Sequence, residues 1–572
     1  MNLTGAQIIC ESLVREGVEV IFGFPGGSVL PFYDTLSQYP QLRHVLVRHE
    51  QGAAHAADGY ARVTGKAGVC CATSGPGATN LVTGIANAQL DSSPVIALTG
   101  QVARPFIGKD AFQEIDITGI TLPITKHNHV VTSADELAKV MKEAFHIATT
   151  GRPGPVLIDI PRDVFVEQAE FYYPAKVDLP GYKPILRGHP AQVKKAAAIV
   201  NQAQRPVIIA GRGAIISRAH EELRELAEKA QIPVITTLLG IGSFPENHML
   251  SLGMLGMHGM AYANMAVDEA DLIIAIGMRF DDRATARVSG FAPKARIVHI
   301  DIDPAEIGKN LRVDVPIVGD VKNVLRELNK ELVTRNHIEW VNQLEKWRQD
   351  HPSITIPEGE ALVPQYVIHS ICEVTDGDAY IVTGVGQHQM WSAQHFCYKK
   401  PNSLVSSGGL GTMGFELPAA LGVKIGCPND TVWCVAGDGG IQMTIQELGT
   451  IAQERAAVKI AIINNGYLGM VRQWQELFYE RRYVATPLSG PDFVKISEAY
   501  GIAAERVKSR QDVIPAIQRA MAHEGPYLID FLVEPEESVY PMVPPGAALA
   551  ELIEGPVKKR EVVVSGIDSS IA

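Results

Sequence analysis

The sequence predicts an α/β protein built from three doubly wound parallel-sheet domains. Two observations predict it. First, short β-branched runs recur along the chain, and each ends in glycine before a helical pattern begins: "VIFGFPGG", "VIALTGQ", "VLIDIPRD", "VIIAGRG", "LIIAIGMRFDD", "IVHIDIDP" and "IAIINNGYLG". They are nearly continuous in apolar residues rather than alternating. Strands of that kind are buried on both faces, which implies parallel sheets covered by helices. Second, two proline-rich stretches interrupt the rhythm. Residues 166–190 carry Pro174, Pro180, Pro184 and Pro190, and residues 351–364 carry Pro352, Pro357, Gly359 and Pro364. Both read as linkers without regular structure. They divide the chain into units at 1–165, 191–345 and 365–540, followed by a tail over 541–572.

Composition narrows the function classes. The 572 residues are 46% hydrophobic and 20% charged, enough for large packed cores. The net charge of −12 comes without a basic run, so nucleic acid is not an expected partner. Seven cysteines, an odd number with no CxxC, fit reduced core residues and a cytoplasmic protein. The first residues contain acids and no long apolar region, unlike a signal peptide, and no apolar run reaches transmembrane length.

Taken in order, the elements carry distinct polar punctuation. "TGAQIICESLVREG" opens with a Thr4…Gln7 capping box and predicts an amphipathic helix stopping at Gly17. "FPGGS" places Gly27 at a strand end. "RHEQGAAHAADGYAR" places Glu50 at a helix start, where an acid is favoured by the macrodipole on structural grounds alone. "TSGPGATN" and "DAFQE" follow. The middle unit holds "GRGAII", "GMLGMHG" and "RFDDR", and the first of these is no GxGxxG fingerprint. The last unit holds "VGQH", then "SGGLGTMGFELPAALG" with Glu416 where a small or apolar residue is expected.

"WCVAGDGGIQM" is the most pointed of these stretches. A buried strand ends in Gly437-Asp438-Gly439-Gly440, and about two dozen residues later "KIAIIN" ends in Asn464-Asn465-Gly466-Tyr467. That spacing is one strand–helix–strand unit, so both polar ends emerge at one edge of a parallel sheet. Asp438 reads either as a helix N-cap or as a cation ligand. With Asn465 it offers hard oxygen donors suited to Mg²⁺ bridged to a phosphate.

Together these stretches resemble the thiamine-diphosphate enzymes, and within them the acetohydroxyacid (acetolactate) synthase catalytic subunits, over nearly the whole chain. The resemblance implies a pyrimidine-binding, an FAD-binding and a diphosphate-binding domain in that order. It implies three cofactors: thiamine diphosphate, Mg²⁺ and FAD. Glu50 would hydrogen-bond the aminopyrimidine and promote loss of the thiazolium C2 proton. Asp438 and Asn465 would bind Mg²⁺ through side chains and Tyr467 through its carbonyl. Gly386, Gln387 and His388, then Gly437, Gly439 and Gly440, and Gly469 and Met470 would surround the cofactor. Gly411 and Met413 belong to the same set, with Met413 supporting the bent cofactor, although a methionine is more often core filler.

On the substrate side, Gly27 and Gln113 would face the reaction centre. Arg283 would recognise a 2-keto acid carboxylate, its alternative being an ion pair with Asp281 or Asp282. Trp474 would favour 2-ketobutyrate as acceptor, its alternative being core packing. Arg152, Gly211-Arg212-Gly213, Leu255, Gly256, Met257, His258, Gly277, Met278, Arg279, Asp301, Ile302 and Asp320 would line the flavin. The implied reaction decarboxylates pyruvate and ligates the two-carbon unit to pyruvate or 2-ketobutyrate, in branched-chain amino acid biosynthesis. It has no net redox change, so the flavin's retention is unexplained at this level. The resemblance also implies a homodimer or homotetramer, with Glu50 and Asp438 meeting from different subunits, and a separate small regulatory subunit. Pyruvate oxidase, glyoxylate carboligase and a flavin-free catabolic acetolactate synthase are the rival readings. Glu50 speaks against the second and "RFDDR" against the third.

Overall fold

A computed structural model describes residues 1–556. Three six-stranded sheets follow one another along the chain, each wholly parallel and flanked by helices. All seven quoted β-branched runs form strands. Val20–Gly23, Gly68–Ala72 and Leu272–Ile276 are buried at every position, as strands covered on both faces must be.

The first sheet runs Arg43–Leu46, Val20–Gly23, Gly68–Ala72, Val95–Gln101, Val156–Pro161, His127–Val130 in space. Numbered by appearance within the unit, this is 2-1-3-4-6-5. The third sheet runs Leu404–Ser406, Tyr380–Thr383, Val432–Gly437, Val458–Asn464, Tyr527–Leu532, Ala503–Val507, which is the same order. The first and third units therefore repeat one topology. The middle sheet differs: Ser251–Met254, Val234–Thr236, Pro206–Ala210, Leu272–Ile276, Arg296–Asp301, Val315–Val318 is 3-2-1-4-5-6. That order opens a crevice between its first and fourth strands, where dinucleotides bind in doubly wound sheets.

The amino-terminal helix spans Gly5–Arg15, and Thr4 and Gln7 form the expected capping box. The stretch 166–190 departs from its expected irregularity. Gln168–Glu170 forms a short strand antiparallel to Asn2–Thr4. Three residues are too few to show a period, and the partner lies at the far end of the unit. The carboxyl end of the tail, 557–572, lies outside the described residues. Among the described residues no helix is long and apolar enough to cross a membrane.

The first and third units share a single core. Ala53, Ala57 and Ala78 pack in one cluster with Phe415, Leu417, Ala420 and Leu448. Its centre is the contact between helices Glu50–Thr64 and Glu416–Gly426. A Cβ on Gly59 would strike the carbonyl of Ala419, and one on Gly422 the carbonyl of Ala56, so the contact needs glycine on both sides. Gly422→Val is expected to force the helices apart at a cost of about 1–3 kcal/mol. A denaturant midpoint unchanged from the parent chain would contradict this packing.

Candidate active site

The loops at the carboxyl ends of the first sheet bring three of the expected residues into one neighbourhood. Glu50 is the first residue of helix Glu50–Thr64, and the His49 side chain caps that helix through the Gln51 N–H. The preceding backbone is fixed from the third unit: Glu447, itself buried, accepts from the N–H groups of Arg48 and His49. One Glu50 carboxylate oxygen accepts from Asn80 Nδ2 at 2.9 Å. The other lies 3.2 Å from where a Gly77 Cβ would be, so glycine in "TSGPG" leaves that oxygen open. Gln113, on the loop after strand Val95–Gln101, holds a left-handed backbone, φ +60°, against Gly75 of "TSGPG". Gly27 is exposed, with open space at its Cβ position, next to Ser28 bonded to Thr73.

The third sheet assembles a second set. Val432–Gly437 and Val458–Asn464 are paired neighbours, with Gly437 opposite Ile463. Asp438 and Asn465 therefore leave the same sheet edge side by side. Gly437 occupies the cap position of the short helix Asp438–Ile441, and the Asp438 side chain caps nothing. Asp438 is buried, 2% exposed, and its Oδ2 has no protein partner. Burial pushes its carboxyl up to about 7, against the pull of the Asn465 and Gly466 N–H groups. Ionised in this position, the carboxylate would suit a cation.

Asn465 Oδ1 accepts from the Tyr467 N–H, and its Nδ2 donates to Gln387 Oε1 at 3.1 Å. A Cβ on Gly469 would collide with that Gln387–Asn465 pair. The ring of His388 lies against Gly437, and burial holds its pKa down at about 4. It is neutral at pH 7, with Nε2 buried and unpartnered. The Met413 methyl lies 3.7 Å from where a Gly439 Cβ would be. Among the described residues no group of three or more His, Cys, Asp or Glu is placed to hold a metal. Asp438 and Asn465 alone would leave a cation here short of ligands, and it would need further oxygens such as those of a phosphate.

A cavity of about 1500 Å³ lies where the middle and third units meet the first, whose Asp91, Ser92, Thr150 and Arg152 also border it. Gly386, Gly411, Met413, Met470, Trp474 and Arg283 border it. So do Arg152, Arg212, Gly213, Leu255, Met257 and His258, and Gly277, Met278, Arg279, Asp301, Ile302 and Asp320. Gly211 and Gly256 sit just behind that wall, each packed on a neighbouring backbone. Glu50, Gly27 and Gln113 do not border it, and neither do Asp438, Asn465 and Tyr467. The Glu50 set and the Asp438 set stand on the loops of different sheets, as two half-sites of one chain. Apolar side chains are exposed near both, Phe112 beside Gln113 at 88% and Val471 beside Met470 at 50%.

Arg283 is 63% exposed in its side chain, pairs loosely with Asp282 at 3.6 Å and touches Met257 Sδ. Trp474 is half-buried and packs edge-on to Phe478. Its helix, Gly469–Phe478, is anchored from behind. Arg472, fully buried, donates to the carbonyls of Glu536 and Glu537 and to Ser538 Oγ. Gln473 bonds both ways with the Val539 backbone. The anchors leave Met470 and Trp474 on the cavity wall.

Three family models match the chain. They are the N-terminal TPP binding domain of thiamine pyrophosphate enzymes over residues 3–120, the central domain over 193–328 and the C-terminal TPP binding domain over 384–531. An acetolactate synthase of Mycobacterium bovis is 53% identical over 565 residues, covering 96% of this chain and 91% of its own. The acetolactate synthase large subunit of Corynebacterium glutamicum is 51% identical, covering 96% and 90%. A probable acetolactate synthase large subunit of Methanocaldococcus jannaschii is 51% identical, covering 96% and 95%. The chain belongs to the acetolactate synthase family of thiamine pyrophosphate enzymes.

Several residues around this thiamine pyrophosphate enzyme's half-sites escaped the sequence reading. Asn80 closes the quoted "TSGPGATN" and holds Glu50. Arg472 and Gln473 lie inside "MVRQWQ" and hold Trp474. Their neighbours in sequence flagged them, but only tertiary contacts give the role. Glu416 opens its helix fully buried, with neither carboxylate oxygen bonded, and burial pushes its pKa up to about 7. It is wedged between Gly384 and Gly440, where any Cβ would meet it.

Proposed function

We propose that this chain decarboxylates pyruvate and joins the two-carbon unit to a second pyruvate or to 2-ketobutyrate, giving acetolactate or acetohydroxybutyrate with release of CO₂. The observation that carries the reading is the orphaned Asp438 carboxylate beside Asn465. It suits Mg²⁺ held by Asp438, Asn465 and the Tyr467 carbonyl and completed by a diphosphate. Thiamine diphosphate supplies the electron sink for decarboxylation. His388, with an unpartnered Nε2, and the glycines at 386, 437, 439, 440 and 469 leave room and a donor for the diphosphate. Met413 would pack against the bound cofactor, with Gly411 turning the loop ahead of it. The central unit fits FAD. Its strand order suits a dinucleotide, the cavity has the room, and the half-buried Arg212 has a buried Nε without a partner.

Glu50 holds and moves the proton at the aminopyrimidine end. Because it lies in the other half-site, the reading requires two copies, each completing its partner's site. The exposed apolar side chains around both halves support that assembly. The bacterial and archaeal relatives named as large subunits support a separate, smaller regulatory chain. Assay of acetolactate from pyruvate with thiamine diphosphate, Mg²⁺ and FAD tests the reading. Acetate or acetaldehyde as the sole product would overturn it.

Trp474 supplies the apolar surface that meets the acceptor's alkyl group, and Arg283 the planar fork for its carboxylate. One methylene in an apolar contact discriminates by ~10–200-fold. Trp474→Leu is therefore expected to lower the acetohydroxybutyrate to acetolactate ratio in mixed-substrate competition by about tenfold. Turnover with pyruvate alone should fall much less. An unchanged product ratio would return this tryptophan to a packing role.

A further inference from the structure

A three-residue turn in the first unit touches the loops of both other units. Asp91-Ser92-Ser93 follows helix Val82–Leu90, and Ser92 holds φ +58°. Asp91 Oδ1 accepts from the Gly409 N–H at 2.6 Å, and Oδ2 from the Gly408 N–H at 3.2 Å. Both glycines belong to the loop that carries Gly411 and Met413. Cβ atoms there would strike Leu239 at position 408, and Asp91 and Leu90 at position 409, so the loop is seated on this turn.

The seat is stiffened from beneath. Arg62, fully buried, donates to Asp91 Oδ2 and to both oxygens of Asp58, and its third arm reaches the Ser406 carbonyl. Asn87 donates to Asp58 and accepts from Ser407 Oγ and Thr412 Oγ1, at the two ends of the same loop. Every member is buried and paired, and a network of that kind favours one arrangement.

The other two residues lead to the middle unit, Ser93 directly and Ser92 through Arg152, which belongs to the first unit. Ser92 Oγ accepts from Arg152 Nε at 2.9 Å, and Ser93 Oγ from Arg212 Nη2 at 3.2 Å. Arg152 continues to Asp303 and Glu306. Arg152 and Arg212 both border the large cavity on the side assigned above to FAD.

We propose that the Asp91-Ser92-Ser93 turn couples the two cofactor sites. A dinucleotide that fixes Arg152 and Arg212 fixes the turn, and the turn fixes the Gly408–Met413 loop that supports thiamine diphosphate. This inference rests on the functional reading above, and it gives a flavin a task in a reaction without net redox change. Asp91, Ser92 and Ser93 are positioning residues, since they act through the arginines and the loop. Such coupling is reciprocal: each cofactor must tighten the other by the same factor.

The test is the dissociation constant of thiamine diphosphate, measured by calorimetry in Mg²⁺ with and without saturating FAD. The parent chain is expected to bind at least about fivefold more tightly with FAD, the lower end of usual coupling. In Ser92→Ala/Ser93→Ala, the FAD-free constant should stay within about twofold of the parent value, showing an intact site, while the gain from FAD disappears. Asp91→Asn should weaken binding even without FAD, because the loop loses its charged acceptor. Equal affinities with and without FAD in the parent, or a gain that survives the serine substitutions, would overturn the coupling and leave the functional reading standing. A parent chain that binds neither cofactor would overturn both.

Discussion

Glu50→Gln is expected to leave the chain folded and to slow hydrogen–deuterium exchange at C2 of bound thiamine diphosphate by roughly 10²- to 10⁴-fold, the usual range for a positioned acid–base group. The geometry separates the two effects. Glutamine keeps an oxygen for Asn80 Nδ2, which bonds Glu50 at 2.9 Å. Its amide still fits the space left by Gly77, because the side chains are nearly the same size. The helix start is held independently by His49 and by Glu447 on the Arg48 and His49 backbone. What the variant loses is a proton that Glu50 can share with the aminopyrimidine. Calorimetric binding of the cofactor should change little while the exchange rate collapses. An exchange rate equal to that of the parent would remove Glu50 from the proton path.

The fold class was legible because parallel strands buried on both faces leave a plain mark: unbroken β-branched runs closed by glycine. The Gly-Asp-Gly and Asn-Asn pair was legible for a related reason. Adjacent strands of one strand–helix–strand unit must end at the same sheet edge, so spacing alone puts Asp438 beside Asn465. Other features depend on contacts between residues hundreds of positions apart. Asp91 and Gly409 are separated by 318 residues and meet at 2.6 Å, and nothing local to "LDSSP" announces it. The repeated strand order of the first and third units is equally silent, since topology is not written in composition. Nor does "HEQGAAHAADG" reveal that its small residues face "ELPAALG". Periodicity marks a buried helix face but not which helix covers it. Glu416 stood out in the sequence as an unexpected acid, yet only the structure shows it buried between two glycines without a partner.

Asp438→Asn tests the other half-site and should separate cofactor binding from folding. The buried Asp438 carboxyl is pushed up to about 7, whereas in an unfolded chain it titrates in the ordinary carboxylate range. Without a cation, the folded state therefore holds a proton that the unfolded state has released. Between the ordinary carboxylate range and about pH 7, stability falls as pH rises, because the unfolded chain binds fewer protons. Asparagine cannot ionise and escapes that penalty. Metal-free Asp438→Asn is thus expected to unfold at a higher temperature than the metal-free parent at neutral pH, by a margin worth roughly a few kcal/mol at most. Adding Mg²⁺ and thiamine diphosphate should reverse the ranking. The parent gains stability in proportion to ligand bound, while the variant, lacking the charged bridge to the diphosphate, should bind on the order of a hundredfold more weakly, about 2.7 kcal/mol. Thermal midpoints at neutral pH, with and without Mg²⁺ and cofactor, carry both readouts in one experiment. A variant that is stabilised by the pair as strongly as the parent would show that Asp438 does not hold the cation.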